Sequence, residues 1–145
     1  MTIEVVKFRD LEKAVSESGR LLDLLAPEIG KVYVVSVTRD GCGACEKQKL
    51  KLNELASRLL QEHGDNISFK HVHIAYSEGA EEESLHSKDV IGHYFYPTNS
   101  ILVKTADRGS IEFYRNVNPD MKELEKNINV ALEVASFMKG NSAQE

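Results

Sequence analysis

The sequence predicts an α/β fold in a single domain, and three observations carry that prediction. The stretch 32–37 is valine-rich and apolar on both faces, the pattern of a strand covered on both sides. Runs of this kind alternate with segments whose apolar residues recur at spacings of three and four, the period of a helix with one buried face. The length, 145 residues, is about one domain with room for a real core.

Each element follows in order. Residues 2–8 alternate loosely and read as a short edge strand. Asp10 reads as the N-cap of a helix carrying Leu11, Ala14, Val15, Leu21, Leu22 and Leu25, with Gly19 dividing it. Pro27 and Gly30 end that helix and lead into the strand at 32–37. Asp40-Gly41 turns the chain, and Cys42-Gly43-Ala44-Cys45 opens a helix with Leu52, Leu55, Ala56 and Leu59 on one stripe, stopping at His63-Gly64. A second strong strand occupies 67–76. Glu78, Glu81, Glu82 and Glu83 mark a solvated acidic loop, followed by a short helix over about 84–94. Ile101-Leu102-Val103 is the next strand, and Asp107-Arg108-Gly109 turns it into 111–114 as a hairpin. Asn118-Pro119-Asp120 starts the last helix, whose stripe is Leu124, Ile128, Ala131, Leu132, Ala135 and Met138. The order is β-α-β-α-β-α-β-β-α over residues 1–140, with 141–145 expected as a disordered tail.

Composition narrows the function classes. A net charge of −5 with interspersed signs and no basic stripe argues against nucleic acid as a partner. The longest apolar run, 32–35, is far too short to span a bilayer. The start MTIEVVKF lacks a basic segment followed by an apolar one, and neither end carries a lipidation motif. The expectation is therefore a cytoplasmic protein with no membrane association.

The chain has two cysteines, too few for a disulfide scaffold, but they stand three residues apart where a strand turns into a helix. A thiolate is the reactive form of cysteine, and the free N–H groups and dipole of a helix start stabilise it. Cys42 is expected to be the exposed attacking thiol (the nucleophile) and Cys45, one turn inside, the buried resolving thiol. A ring this small adds only about 2 kcal/mol by loop closure, so it suits opening and closing better than stapling. Two other readings of the pair remain. The cysteines can be buried and structural, or they can bind zinc with His71 and His73, which share one face of a strand.

With the Cys42-Gly43-Ala44-Cys45 motif after a strand, Tyr96-Pro97-Thr98 before another, the Asp-Arg-Gly hairpin and the amphipathic last helix, the chain resembles the thioredoxin-like family over about residues 2–139. The resemblance implies a central mixed β-sheet flanked by helices and a redox-active Cys42–Cys45 disulfide. It also implies a cis peptide before Pro97, opposite the disulfide across a substrate groove. Tyr96 would offer its backbone to an extended substrate, with Gly41 beside the first cysteine and Tyr94 and Phe95 as apolar contacts. The chain departs from the family at several positions. Gly41 stands where a tryptophan is usual, Gly43-Ala44 where Gly-Pro is frequent, Ser36 at the buried aspartate, and His71 at its companion lysine. His71 either packs at the sheet edge or relays a proton from Cys45.

The function implied is thiol–disulfide oxidoreductase, specifically a protein disulfide reductase acting through a mixed disulfide and needing no cofactor. Its partners would be a disulfide-containing protein or small-molecule substrate and an upstream thiol reductant or reductase, with the protein itself a monomer. The alternative is a binding or chaperone-like module of the same fold whose cysteines are not catalytic or hold a metal.

Overall fold

A strand that is apolar on both faces needs a neighbour along each edge and a layer over each face. In the computed structural model, which describes residues 3–144, the strand Val32–Arg39 (β2) obtains all four, and seven of its eight residues are buried. It sits at the centre of a five-stranded sheet ordered β1-β3-β2-β4-β5. Here β1 is Glu4–Lys7, β3 Ile67–Ile74, β4 Thr98–Lys104 and β5 Ser110–Val117. β1 and β2 both run parallel to β3, whereas β4 is antiparallel to β2 and β5 antiparallel to β4. The sheet is therefore mixed, as the resemblance implied.

Alternation along β2 divides the core in two. Val32 and Val34 point to the face covered by α3 (Gly43–His63) and α5 (Met121–Gln144), where Leu59, Leu124 and Ile128 are fully buried. Tyr33, Val35 and Val37 point to the face covered by α1 (Phe8–Ser18) and α2 (Leu21–Leu25), with α4 (Glu82–Ile91) at its margin.

Several boundaries differ from expectation for physical reasons. α1 starts at Phe8, straight out of β1, and among the described residues the side chain of its N-cap, Lys7, makes no capping hydrogen bond. Asp10 is in the first turn, where its charge suits the helix dipole without capping. The burial of Phe8 anchors that start in place of a polar cap. Gly19 does divide the helical stretch, into α1 and α2. α4 begins at Glu82, earlier than read, and ends at Gly92, whose left-handed φ of 79° is a conformation glycine adopts freely. α5 continues to Gln144, overlapping the segment expected as a tail; Glu145 lies outside the described residues.

The hairpin between β4 and β5 is tied back to α2. The backbone N–H of Ser110 donates to Asp23 Oδ1 at 2.7 Å, and its hydroxyl donates to the carbonyl of Ala26 at 2.6 Å. Among the described residues, no helix is long and apolar enough to cross a membrane.

Candidate active site

Val37 of β2 pairs with Thr98 of β4, so the end of one strand lies beside the start of the other. From that end, β2 turns through Asp40 and Gly41 into α3. Gly41 has φ 70°, which the absence of a side chain there permits. Cys42 is the N-cap of α3 and Cys45 lies in its first turn; the two form a disulfide with Cα atoms 5.2 Å apart. The N–H of Cys45 donates to Cys42 Sγ at 3.1 Å, so one of the unpaired donors of the helix start already points at sulfur. At the start of β4 the Tyr96–Pro97 peptide bond is cis. The disulfide and the cis proline thus share one end of the sheet.

The expected contrast in exposure between the two cysteines is absent. Cys42 is 8% exposed and Cys45 7%, because the disulfide holds Cys42 down over the first helical turn. Position distinguishes them: Cys42 caps the helix, whereas Cys45 also lines a cleft of about 600 Å³ between α3 and the β1 side of the sheet.

Behind Cys45 lies a buried amide network. Gln48 donates through Nε2 to Ser36 Oγ at 3.1 Å and accepts from Asn99 Nδ2 at 2.7 Å. Ser36 thus occupies a hydrogen-bonded site and not an ionic one. Ser36 is level with His71 across the β2–β3 pairing. Thr38 Oγ1 bonds to His71 Nε2 and lies 3.4 Å from His73 Nδ1, and His73 Nε2 is 2.7 Å from Asp40 Oδ1. The His73 contact, then the N–H of Tyr76, hold the Asp40 carboxyl below its ordinary pKa. Burial, assisted by the charges of His73 and Lys49, holds His71 below its ordinary 6.5. The zinc arrangement considered from the sequence is not formed: the two cysteines bond to each other, and no metal-holding group of three His, Cys, Asp or Glu occurs among the described residues.

A second polar layer supports the cis-proline loop from the α4 side. The Tyr96 hydroxyl lies 2.8 Å from Ser84 Oγ and 3.2 Å from Ser87 Oγ. The buried His93 places Nε2 3.0 Å from Ser87 Oγ and meets the Tyr96 ring edge-on at 4.8 Å. From β2, the Arg39 guanidinium stacks over Tyr76 at 3.8 Å and reaches Tyr96 at 5.5 Å. Tyr94 and Phe95, immediately before this layer, are exposed, at 77% and 65%.

His93 makes this layer sensitive to acid. Burial lowers its pKa from 6.5, with Lys88 and Arg115 acting in the same direction against the Phe95 carbonyl. A depressed histidine is neutral in the native state, so its stabilisation is complete above the unfolded value of 6.5 and is lost as pH falls below it. The melting temperature is expected to drop by a few degrees between about pH 7.5 and 5.5, and His93→Gln should flatten that drop. Thermal melts of both proteins across this range check the result; equal drops would show that His93 does not titrate on unfolding.

No family model matches the chain, and no curated protein does either. Solved structures do. The thioredoxin of Trichomonas vaginalis superposes with a TM-score of 0.56 at 16% identity, covering 88% of this chain and 95% of that one. Thioredoxin f2 of Chlamydomonas reinhardtii gives 0.57 at 18%, covering 90% and 96%. The Trx4 domain of ERdj5 gives 0.59 at 16%, covering 91% and 96%.

The chain has the thioredoxin fold.

Within that thioredoxin fold, the residues expected from the sequence fall into two groups. Cys42, Cys45, Gly41, Tyr96 and Pro97 gather at one end of the sheet, and Ser36 and His71 lie behind Cys45 in the cleft. Gln48, Asn99, Arg39, Ser84, Ser87 and His93 were not anticipated. One signal was present for Gln48. It falls on the buried stripe of α3 between Cys45 and Leu52, a polar residue where the periodicity calls for an apolar one.

Proposed function

We propose that the protein is a thiol–disulfide oxidoreductase that reduces protein disulfides through Cys42 and Cys45. The observation that carries this is the disulfide across the first turn of α3, at the same end of the sheet as the cis Tyr96–Pro97 bond. In the reduced protein, Cys42 is the nucleophile. The N–H of Cys45 and the dipole of the 21-residue α3 favour its thiolate. That thiolate attacks one sulfur of a substrate disulfide, and the other sulfur leaves as a thiolate. Cys45, the resolving thiol, then attacks Cys42 Sγ, re-forming the ring and releasing the second substrate thiol. Two electrons pass to the substrate and the pair ends oxidised.

The cis-proline region is the substrate surface in this proposal. The backbone at Tyr96 accepts an extended peptide segment, Gly41 leaves room beside Cys42, and Tyr94 and Phe95 supply apolar contact. Recharging requires an upstream thiol reductant or reductase. One structural neighbour is thioredoxin f2 in complex with ferredoxin:thioredoxin reductase, which supports a partner of that kind. A monomer acting in the cytoplasm, where the thiol pool keeps the pair reduced, fits this direction.

The test is insulin reduction by dithiothreitol, followed as turbidity of the released chains. The expected result is a shortened lag in proportion to protein concentration. An unchanged lag at all concentrations, with the protein folded, would favour the binding-module alternative.

A further inference from the structure

We propose that His71 takes the proton from Cys45 when the ring closes, and that Thr38 and His73 pass it to Asp40 and solvent. The inference rests on the oxidoreductase function proposed above. A thiol must lose its proton to attack a disulfide sulfur. Cys45 is only 7% exposed and meets solvent through one cleft, so a base lining that cleft is well placed to take the proton.

The cleft behind Cys45 supplies the candidates. Ser36 and Gln48 line it but are hydrogen-bonded to each other and do not titrate near neutrality. Arg39 and Lys49 line it as cations, with no lone pair to offer while charged. β1 contributes Ile3 and Val5, which are apolar. Glu46, in the first turn of α3, is exposed, and water competes for its carboxylate. His73 has a partner at each ring nitrogen, Thr38 at Nδ1 and Asp40 at Nε2. That leaves His71, which lines the same cleft as Cys45, and the cleft has room for water between them.

The hydrogen-bond order allows a directed transfer. With His71 Nε2–H donating to Thr38 Oγ1, the Thr38 hydroxyl can donate to His73 Nδ1, and His73 Nε2–H to the Asp40 carboxylate. His71 Nδ1 then carries the free lone pair. The Cys45 S–H bond breaks, an N–H bond forms at Nδ1, and the Nε2 proton moves to Thr38 as the Thr38 proton moves to His73. The resulting imidazolium at His73 is paired with Asp40, which is exposed, while His73 is half-buried and reaches solvent beside it, so the proton leaves to solvent. Meanwhile the Cys45 thiolate forms the bond to Cys42 Sγ, and the substrate sulfur departs with the electron pair.

Burial holds His71 below its ordinary 6.5, which favours the neutral ring that can accept a proton. The experiment mixes fully reduced protein with a nitrobenzoate disulfide in a stopped-flow instrument over about pH 5 to 9. The first release of coloured thiolate reports attack by Cys42, and the second reports attack by Cys45. Wild type is expected to show a second phase that rises from acid pH and levels off. In His71→Gln that phase should fall by about 100-fold at neutral pH and keep climbing with alkalinity, while the first phase is unchanged. Imidazole added to His71→Ala should restore the second phase, which loss of packing alone would not allow. Glu46→Gln should behave as wild type. An unaltered second phase in His71→Gln, or its loss in Glu46→Gln, would overturn the proposal. Absence of the first phase in wild type would instead overturn the oxidoreductase function itself.

Discussion

In the proposed reaction, Cys42→Ser is expected to lower turnover in the insulin assay by at least about 1,000-fold, because a serine hydroxyl at a helix start is no substitute for a thiolate. Cys45→Ser should have a different phenotype. Its Cys42 still attacks, but nothing resolves the mixed disulfide, so the protein accumulates covalently joined to substrate. The two residues are equally buried in the oxidised state, so exposure does not predict which is which. The asymmetry comes from the helix: Cys42 occupies the N-cap and receives the N–H of Cys45, whereas Cys45 lies one turn further along and borders the rear cleft. Non-reducing electrophoresis after exposure to an oxidised protein substrate, followed by mass spectrometry, distinguishes them. Adducts on Cys42→Ser and none on Cys45→Ser would reverse the assignment of roles.

Gln48→Met should cost about 2–4 kcal/mol of folding stability. Methionine fills a similar volume, so little of that loss comes from a cavity. It comes from the partners. Asn99 is fully buried and gives its amide to Gln48, while its own Oδ1 already has no partner among the described residues; Ser36 loses the donor on its hydroxyl. Adding Asn99→Val to Gln48→Met should cost less than the sum of the separate changes, since one interaction is then removed once and not twice. Urea unfolding of the four proteins measures this coupling. Additive losses would mean that the two amides do not depend on each other.

Much of the fold was legible because the strongest signals were local. The valine-rich run at 32–37 became the central strand, and the stripes on α3 and α5 became one half of the core. The Asp107-Arg108-Gly109 turn produced the hairpin, and Gly19 divided the first helical stretch. The Asp10 cap failed because a capping signal assumes the chain enters its helix from a loop. Here a strand feeds the helix directly, and the burial of Phe8 sets its start. At the site, the cysteine pair was visible in its spacing and Tyr96-Pro97 in its resemblance. The polar layers beneath them were not, because Gln48 and Asn99 are 51 residues apart, and Thr38 and His71 are 33 apart. Such contacts arise from strand order, which periodicity does not encode.

The division of the core also bears on how the molecule breathes. One face of the sheet is sealed by two long helices, α3 and α5, joined by the Arg58–Glu125 pair at 2.5 Å. The other is tiled by shorter pieces, α1, α2 and α4, of 11, 5 and 10 residues. Short tiles detach at lower free energy than long ones, so backbone amides of α2 and α4 should exchange with deuterium well before those of α3 and α5. Tyr96 belongs to the tiled side and Cys45 to the sealed side. A partner would thus meet a pliable rim set against a stiff sulfur mount, an arrangement that tolerates varied surfaces while keeping the bond-exchanging atoms in register.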